Sequence, residues 1–175
     1  MRGNSCVGFI TMTTALQIKL PPQAFLDTHR QDELDELFSS LASVDAADLS
    51  GDYQGRLIGI SGLSILPRFV KWLAYKLLGT WLNPWRGKRF DSSHGKNLWG
   101  IASLVSGWGA YRVSTNSEDN LISLDYGVSE NPRFLRPILG EARPFGNGIW
   151  LARMRYRTRN NINTLLYFTL RRVGQ

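Results

Sequence analysis

The sequence predicts a mainly β protein: an antiparallel meander barrel of about eight strands or more, with an N-terminal helix and a second helix after the first strand. One observation is residues 150–159, WLARMRYRTR, whose arginines fall on every second position, as in a β-strand with one cationic face. Another is the series of strand-like segments from residue 85 onward, with no helical segment between them. Because parallel strands need long crossover connections, these segments indicate antiparallel pairing.

The N-terminal elements are a leader and a helix. We expect residues 1–30 to form a flexible leader and residues 31–175 to form a single barrel domain. Within 31–42 the apolar residues recur at helical spacing, and the acidic residues lie in the early turns, where the helix dipole favours them. The apolar positions of this predicted helix are Leu34, Leu37, Phe38 and Leu41.

The next elements are a strand and a long helical segment. Residues 49–61 combine β-branched and aromatic residues with glycines, which predicts a first strand with bends or close contacts. Residues 65–82 then change to helical period, with Pro67 in the first turn and Gly79 at the end. The remaining strand-like segments are 85–91, 97–106, 108–115, 120–127, 134–143, 147–158 and 163–172. Turn residues connect them at 91–95, 106–107, 116–120, 146–148 and 160–161.

Composition limits the classes of partner without choosing one. The chain has 175 residues, a formal net charge of +7 and a pI of about 9.9, which favours nucleic acid, an anionic membrane surface or small anions. The only cysteine, Cys6, excludes an intramolecular disulfide and favours a reduced, cytoplasmic compartment. No apolar stretch is long enough to predict a membrane span.

Three short motifs suggest a family. Residues 51–55 read GDYQG, residues 85–90 read WRGKRF, and residues 167–171 read YFTLR. In this order they resemble the uncharacterised bacterial barrel family named for a G-x-W-x-G motif, although Tyr53 stands where that family has tryptophan. The helix after the first strand is also similar to the lid in the fatty-acid-binding branch of the calycin barrels, which also include the lipocalins. The resemblance implies a lipocalin-like or fatty-acid-binding-like barrel of unassigned function and brings no catalytic residues.

Motifs for catalysis are sparse. Of the two histidines, His29 lies in the leader and His94 in a predicted turn. The sequence has no metal-binding, nucleophile-elbow or phosphate-loop motif, so we expect no metal and no cofactor. Asp125 and Glu141 are the candidate acids or bases, although carboxylates at such positions more often pair with arginine. A non-enzymatic protein is therefore the favoured reading.

A binding site in the barrel is the stronger hypothesis. Small-molecule sites are mostly apolar hollows with a few polar groups, and barrel mouths are a preferred place for them. The alternative is that aromatic side chains simply fill the interior, and the sequence leaves open whether the arginines 153–159 point inward or outward. The candidate ligand-binding residues are Tyr53, Arg89, Phe90, Trp99, Trp108, Tyr111, Tyr126, Glu141, Arg143, Trp150, Met154, Tyr156 and Tyr167.

The 65–82 helix has two functional readings besides plain packing. It is a lid over the barrel mouth, or it faces an anionic membrane with basic and tryptophan side chains. The candidate lid or membrane-facing residues are Arg68, Phe69, Lys71, Trp72, Lys76 and Trp81.

Three functions remain open from the sequence. The first is binding of an apolar, anionic small molecule such as a fatty acid in the barrel. The second is a basic surface module for nucleic acid or anionic membrane, whose binding would weaken steeply with salt. The third is an enzyme acting on a lipid-like or aromatic substrate.

Overall fold

In the computed structural model, the residues described are 31–41, 49–60, 84–101, 104–116 and 121–174. They contain a helix, α1, and the eight strands β1 to β8. The helix spans Gln31–Ser40, and the strands span Gly51–Ile60, Trp85–Asp91, His94–Ile101, Leu104–Asn116, Leu121–Asp125, Ile138–Gly146, Ile149–Arg157 and Ile162–Arg172.

The strands form a closed antiparallel meander, which confirms the predicted fold class. Each strand pairs with the next, and β1 pairs with β8 to close the barrel. Tyr53 of β1, for example, lies opposite Lys88 of β2 and Arg172 of β8. We call the end with the Ser92–Ser93 and Asn147–Gly148 turns the hairpin end. The opposite end, with the connections 126–137 and 158–161, is the loop end.

Most predicted elements are found close to their predicted bounds. The helix α1 begins at the predicted residue 31 and ends at 40 rather than 42, and β2 spans the predicted 85–91. The turn predicted at 106–107 is wrong, because β4 runs through both residues and Gly107 lies opposite Leu98. The backbone irregularity lies instead at Gly109, whose φ is +79°. The predicted leader 1–30 and lid helix 65–82, with its six candidate residues, lie outside the described residues.

The interior of the barrel is packed with aromatic rings. The ring centroids of Tyr53 and Phe90 are 5.3 Å apart, and those of Phe90 and Tyr111 are 5.7 Å apart. A Cβ atom at Gly95 would collide with the ring of Tyr111, so this glycine leaves the volume that the ring occupies. These aromatic rings fill the part of the barrel interior in which they lie.

A second apolar cluster lies outside the barrel, beneath α1. Leu34 and Phe38 of the helix are each 1% exposed and pack on the outer faces of β7 and β8. Burying a side chain of this size contributes about 1.5–3 kcal/mol. Because the helix covers these two strands, they are buried on both faces. The strand residues in this outer cluster are Ile149, Leu151 and Tyr167.

The parity of β7 determines where its arginines point. Trp150 and Ala152 belong to the interior cluster, whereas Leu151 belongs to the outer cluster under α1. Arg153 and Arg155 share the parity of Leu151, so both lie on the outer wall. The arginines of this strand are therefore not anion-binding groups of the barrel interior.

Candidate functional site

Lys88 of β2 is a fully buried cation inside the barrel, with 0% of its surface exposed. A bulge between Trp85 and Gly87 precedes it, and Gly87 has a φ of +142°. A Cβ atom at Gly87 would collide with the carbonyl oxygen of Tyr53, so the bulge requires glycine. After this bulge Lys88 points inward together with Phe90.

Neutral groups hold the Lys88 amine. Its Nζ donates hydrogen bonds to Asn97 Oδ1 at 2.7 Å and to Tyr126 Oη at 2.5 Å. The Tyr126 hydroxyl in turn donates to the same Asn97 oxygen at 3.1 Å. The amide nitrogen of Asn97 donates to the carbonyl of Gly109 at 3.4 Å, which orients the Asn97 side chain. Among the described residues, no carboxylate takes part in this arrangement.

Three aromatic rings surround the same amine. Lys88 Nζ lies 4.7 Å from the ring centroid of Tyr111, 5.2 Å from that of Tyr126 and 5.4 Å from that of Phe168. At these distances the ring faces attract a cation, and the attraction is stronger in a site without water. We call Lys88, Asn97, Tyr111, Tyr126 and Phe168 together the Lys88 cage.

Burial changes the proton equilibria of the cage. It lowers the pKa of Lys88 to about 7, because the apolar surroundings disfavour the ammonium form. Burial also raises the pKa of Tyr126 and of Tyr111, in the second case together with the neighbouring Tyr126. Near neutral pH the cage therefore holds a share of free amine beside two protonated phenols.

Asn131 fixes the loop above the cage. Its side-chain amide donates to the carbonyl oxygens of Ala110 at 2.6 Å and Tyr126 at 2.8 Å. It also accepts a 3.0 Å hydrogen bond from the backbone nitrogen of Ala110. Asn131 is 3% exposed. Its side chain makes hydrogen bonds with the backbone of β4, as a neighbouring strand would, and its hydrogen bond to the carbonyl of Tyr126 fixes the position of that residue.

The loop end presents apolar side chains to its surroundings. Several partly buried side chains pack on the interior cluster there, and Trp99 Nε1 donates to the carbonyl of Trp108 at 3.0 Å. Trp108 itself is 41% exposed, and Leu104 on the same strand is 82% exposed. The partly buried group consists of Leu57, Trp99, Phe134, Leu135 and Met154. We call it the loop-end group.

Most of the predicted ligand-binding residues lie in the barrel interior or at its loop end. Trp99 and Met154 are partly buried and pack on the interior cluster. Their role in binding a ligand stays a prediction. The buried candidates of the interior are Tyr53, Phe90, Tyr111, Tyr126, Trp150 and Tyr156.

The five other candidates lie outside the barrel interior, and their role in binding a ligand also stays a prediction. Arg89 alternates with the inward Lys88 and Phe90, and its exposed guanidinium pairs with Asp52 at 2.6 Å. Trp108 has an exposed side chain at the loop end. The three remaining candidates lie on the outer wall near α1: Glu141, Arg143 and Tyr167.

Glu141, Arg143 and Tyr167 hold the helix and the outer wall together. Glu141 accepts hydrogen bonds from Arg153 at 2.6 Å and Arg155 at 2.9 Å. Arg143 donates to the carbonyl of Leu41 at 2.7 Å. The hydroxyl of Tyr167 donates to Asp35 of α1 at 2.5 Å. Their positions follow from strand parity, because residues that alternate with inward residues face outward.

Asp125, the other candidate acid or base, caps a turn. Its Oδ1 accepts a 2.9 Å hydrogen bond from the backbone nitrogen of Gly127. Neither Asp125 nor Glu141 is a hydrogen-bond partner of Lys88, whose acceptors among the described residues are Asn97 and Tyr126. Within the described segments, no group of three or more histidine, cysteine, aspartate or glutamate side chains is arranged to hold a metal ion. The described part of the chain also has no helix long and apolar enough to cross a membrane.

Sequence reasoning missed Lys88 and Asn97. The signal for Lys88 was present, because it lies two residues before Phe90 and strand period two places both on one face. The charge of the lysine argued against an interior position. Asn97 carried no comparable signal, since the bulge between Lys96 and Asn97 shifts the strand register there.

Comparisons with known proteins support the fold. No family model matches the chain, and no curated protein matches it significantly. A protein from Thermomonospora curvata, known from its crystal structure, is 23% identical, with a TM-score of 0.59. The alignment covers 86% of this chain and 92% of the Thermomonospora protein. The chain is thus similar in fold to this bacterial protein, as a closed barrel that could hold a ligand.

Proposed function

We propose that the barrel binds an apolar small molecule whose polar group, a carboxylate or a carbonyl, accepts a hydrogen bond from Lys88. The observation that carries this proposal is the complete burial of a lysine whose hydrogen-bond partners among the described residues, Asn97 and Tyr126, are both neutral. A buried amine without a carboxylate costs folding energy, which an apolar residue of similar length would avoid. Such a costly group in a barrel interior supports a binding role.

The chemistry of the cage fits an amphipathic ligand. An ammonium has three N–H groups, and among the described residues Asn97 and Tyr126 are the two acceptors for those of Lys88. In the proposed complex the third N–H donates to a ligand oxygen. The surrounding rings and the loop-end group offer apolar contact to a hydrocarbon chain that enters from the loop end. Because aromatic rings fill the interior, we expect a ligand to enter only when partly buried side chains of the loop-end group move aside.

The nucleic-acid alternative has less support. It rested mainly on the arginines of β7, and Arg153 and Arg155 are engaged with Glu141. Arg153 also lies 3.6 Å from Asp35 of the helix, which lowers the positive field of this face further. Exposed basic residues remain at the ends of the strands, among them Arg157, Arg171 and Arg172. The membrane alternative rested on residues 65–82, which lie outside the described residues, and stays a prediction.

Titration with dodecanoate tests the proposal. We expect saturable binding, followed by the change in tryptophan fluorescence, and little dependence on salt. In Lys88→Met the affinity should fall at least about tenfold, since a hydrogen bond to a charged group contributes about 1.5–3 kcal/mol. Lys96→Met is the matched control, because Lys96 lies exposed on the neighbouring strand β3.

Two results would overturn the proposal. One is the absence of saturable binding to the wild-type protein. The other is equal affinity in the wild type and in Lys88→Met, with both proteins shown to be folded by circular dichroism. If binding were instead to weaken steeply with salt and to respond to Lys96→Met, the basic surface would be the binding site.

A further inference from the structure

We infer that Lys88 forms a reversible covalent imine with an aldehyde on an apolar ligand. This inference rests on the proposed function and deepens it, because it names a class of ligand and a bond for the same site. It starts from the neutral surroundings of the amine. Asn97 and Tyr126 hold the Nζ atom in place without providing a charge that would keep it protonated.

An amine attacks a carbonyl carbon only through its free lone pair. In the part of the chain that the structure describes, the titratable groups facing Lys88 are the phenols of Tyr111 and Tyr126, and both keep their protons near neutral pH. The lowered pKa of Lys88 supplies free amine in the same pH range. A desolvated lysine in an apolar pocket is a common arrangement for imine formation.

The reaction balances without an oxidant or a reductant. The Nζ lone pair forms a bond to the aldehyde carbon while the carbonyl π bond breaks, and the oxygen takes up a proton. That proton is replaced by one that the nitrogen gives up, so the carbinolamine is neutral. Its hydroxyl group takes up a second proton and leaves as water, while the nitrogen lone pair forms the carbon–nitrogen double bond of a protonated imine. Tyr126 Oη, 2.5 Å from Nζ, is placed to give a proton to the oxygen and to recover one from the nitrogen.

The cage also suits the product. A protonated imine carries its positive charge at the position now held by the ammonium, facing the same three rings. Its remaining N–H can donate to Asn97 Oδ1, which already accepts from Lys88. An interior closed to bulk water also slows hydrolysis of the new bond.

Reduction with borohydride tests the inference directly. The full-length protein is incubated with dodecanal at pH 7.5, treated with sodium borohydride and digested for peptide mass mapping. We expect one dodecyl group on Lys88, formed at least about ten times faster than on the exposed Lys96 of the same molecule. Reaction only at Lys96 and other exposed lysines, or at equal rates, would overturn the inference.

Two further measurements separate this inference from the proposed function. Dodecanoate should compete with dodecanal and reduce labelling of Lys88 if both occupy the same site. Binding of dodecanoate that depends on Lys88, together with no adduct at Lys88, would contradict the imine and leave the proposed function intact. If neither molecule binds, both proposals fail.

The variant Tyr126→Phe examines the proton transfer. Without the phenol, labelling of Lys88 should slow by about tenfold or more, while dodecanoate binding changes less. The same rate of labelling in Tyr126→Phe would remove Tyr126 from the reaction. Circular dichroism of the variant checks that the barrel remains folded.

Discussion

The side-chain oxygen of Asn97 accepts a 2.7 Å hydrogen bond from the Nζ of Lys88, so a neutral amide rather than a carboxylate positions the buried amine. Both side chains lie inside the barrel, on the adjacent strands β2 and β3, and both are buried. The amide contributes a dipole and no compensating charge. The ammonium form is therefore disfavoured by burial, and this has a measurable effect on stability.

The first prediction concerns pH. The folded-state pKa of Lys88 is about 7, against an ordinary value of 10.5 in the unfolded chain. Below pH 7 both states carry the proton, and the folded state bears the whole cost of the buried charge. Between about pH 7 and pH 10.5 the unfolded state binds more protons, so the free energy of unfolding rises with pH, by up to about 1.4 kcal/mol for each pH unit.

Urea unfolding of the wild type and of Lys88→Met, at pH 6, 8 and 9, measures this effect. The variant lacks the titrating amine, so its stability relative to the wild type should be highest at pH 6 and should decrease as the pH rises. Comparing the two proteins at each pH cancels the titration of all other groups that the substitution leaves unchanged. A difference in stability that is constant with pH would contradict a lowered pKa for Lys88.

The second prediction concerns Glu141 on the outer wall. Its side chain is 6% exposed and accepts from the guanidinium groups of Arg153 and Arg155, which are 16% and 25% exposed. In Glu141→Gln these two largely buried cations lose their shared counter-charge, and we expect a loss of about 2–4 kcal/mol in the free energy of unfolding. The loss should persist at high salt, because buried pairs are poorly screened.

Asp52→Asn is the matched control for that variant. Asp52 pairs with Arg89, which lowers the pKa of the Asp52 carboxyl, but the side chains are 37% and 60% exposed. An exposed pair contributes about 1 kcal/mol or less. Equal effects of Asp52→Asn and Glu141→Gln in chemical denaturation would show that burial does not strengthen the Glu141 pairs.

The third prediction concerns the attachment of α1. Tyr167 of β8 donates to Asp35 of the helix, and the guanidinium of Arg153 lies 4.3 Å from the ring of Phe38. In Tyr167→Phe we expect a loss of about 1.5–3 kcal/mol, since a hydrogen bond to a carboxylate is removed while the apolar packing stays. Chemical denaturation measures the loss, and limited proteolysis shows whether cleavage within α1 becomes faster.

Ser39→Ala serves as the control on the same helix. The hydroxyl of Ser39 is exposed and donates to the carbonyl of Asp35 within α1. Its removal should change stability by less than about 0.5 kcal/mol. A wild-type rate of proteolysis in Tyr167→Phe would indicate that apolar packing alone attaches the helix.

The fourth prediction compares two glycines. A Cβ atom at Gly55 would collide with the indole ring of Trp85, which also packs on Phe168 with ring centroids 5.3 Å apart. At Gly107 the nearest atom is the flexible Cδ of Lys96, at 3.5 Å. We expect Gly55→Ala to lower the melting temperature, at a cost of about 1–3 kcal/mol, and Gly107→Ala to be neutral or stabilising. Similar melting temperatures for the two variants would contradict tight packing around Trp85.

Periodicity explains how much of this protein could be predicted. Alternation in residues 150–159 indicated the strand β7, and helical spacing indicated α1, because both patterns are local properties of the chain. The turn predicted at Ser106–Gly107 failed, since pairing with β3 continues through those residues. Serine and glycine permit a turn, but strand pairing decides whether one forms.

Alternation predicts two faces and does not say which of them points inward. The apolar face of β7 pointed to the interior as hydrophobicity suggests, yet Leu151 on the other face is also fully buried, under α1. The covering helix and Glu141 make an outward position stable for Arg153. Lys88, in contrast to Arg153, points into the barrel. The bulge at Gly87 precedes it, and Asn97 and Tyr126 accept hydrogen bonds from its amine.

The sequence by itself determined the antiparallel meander, the position of α1 and the alternation of β7, because these depend on residues that are close together in the chain. Tertiary structure decided the contents of the barrel. Closure of the barrel brings together Lys88, Asn97, Tyr111, Tyr126 and Phe168, which come from β2, β3, β4, the connection after β5, and β8. Burial of the Lys88 amine in the closed barrel lowers its pKa to about 7. Burial in a shared interior is a property of the assembled sheet, and no single segment encodes it.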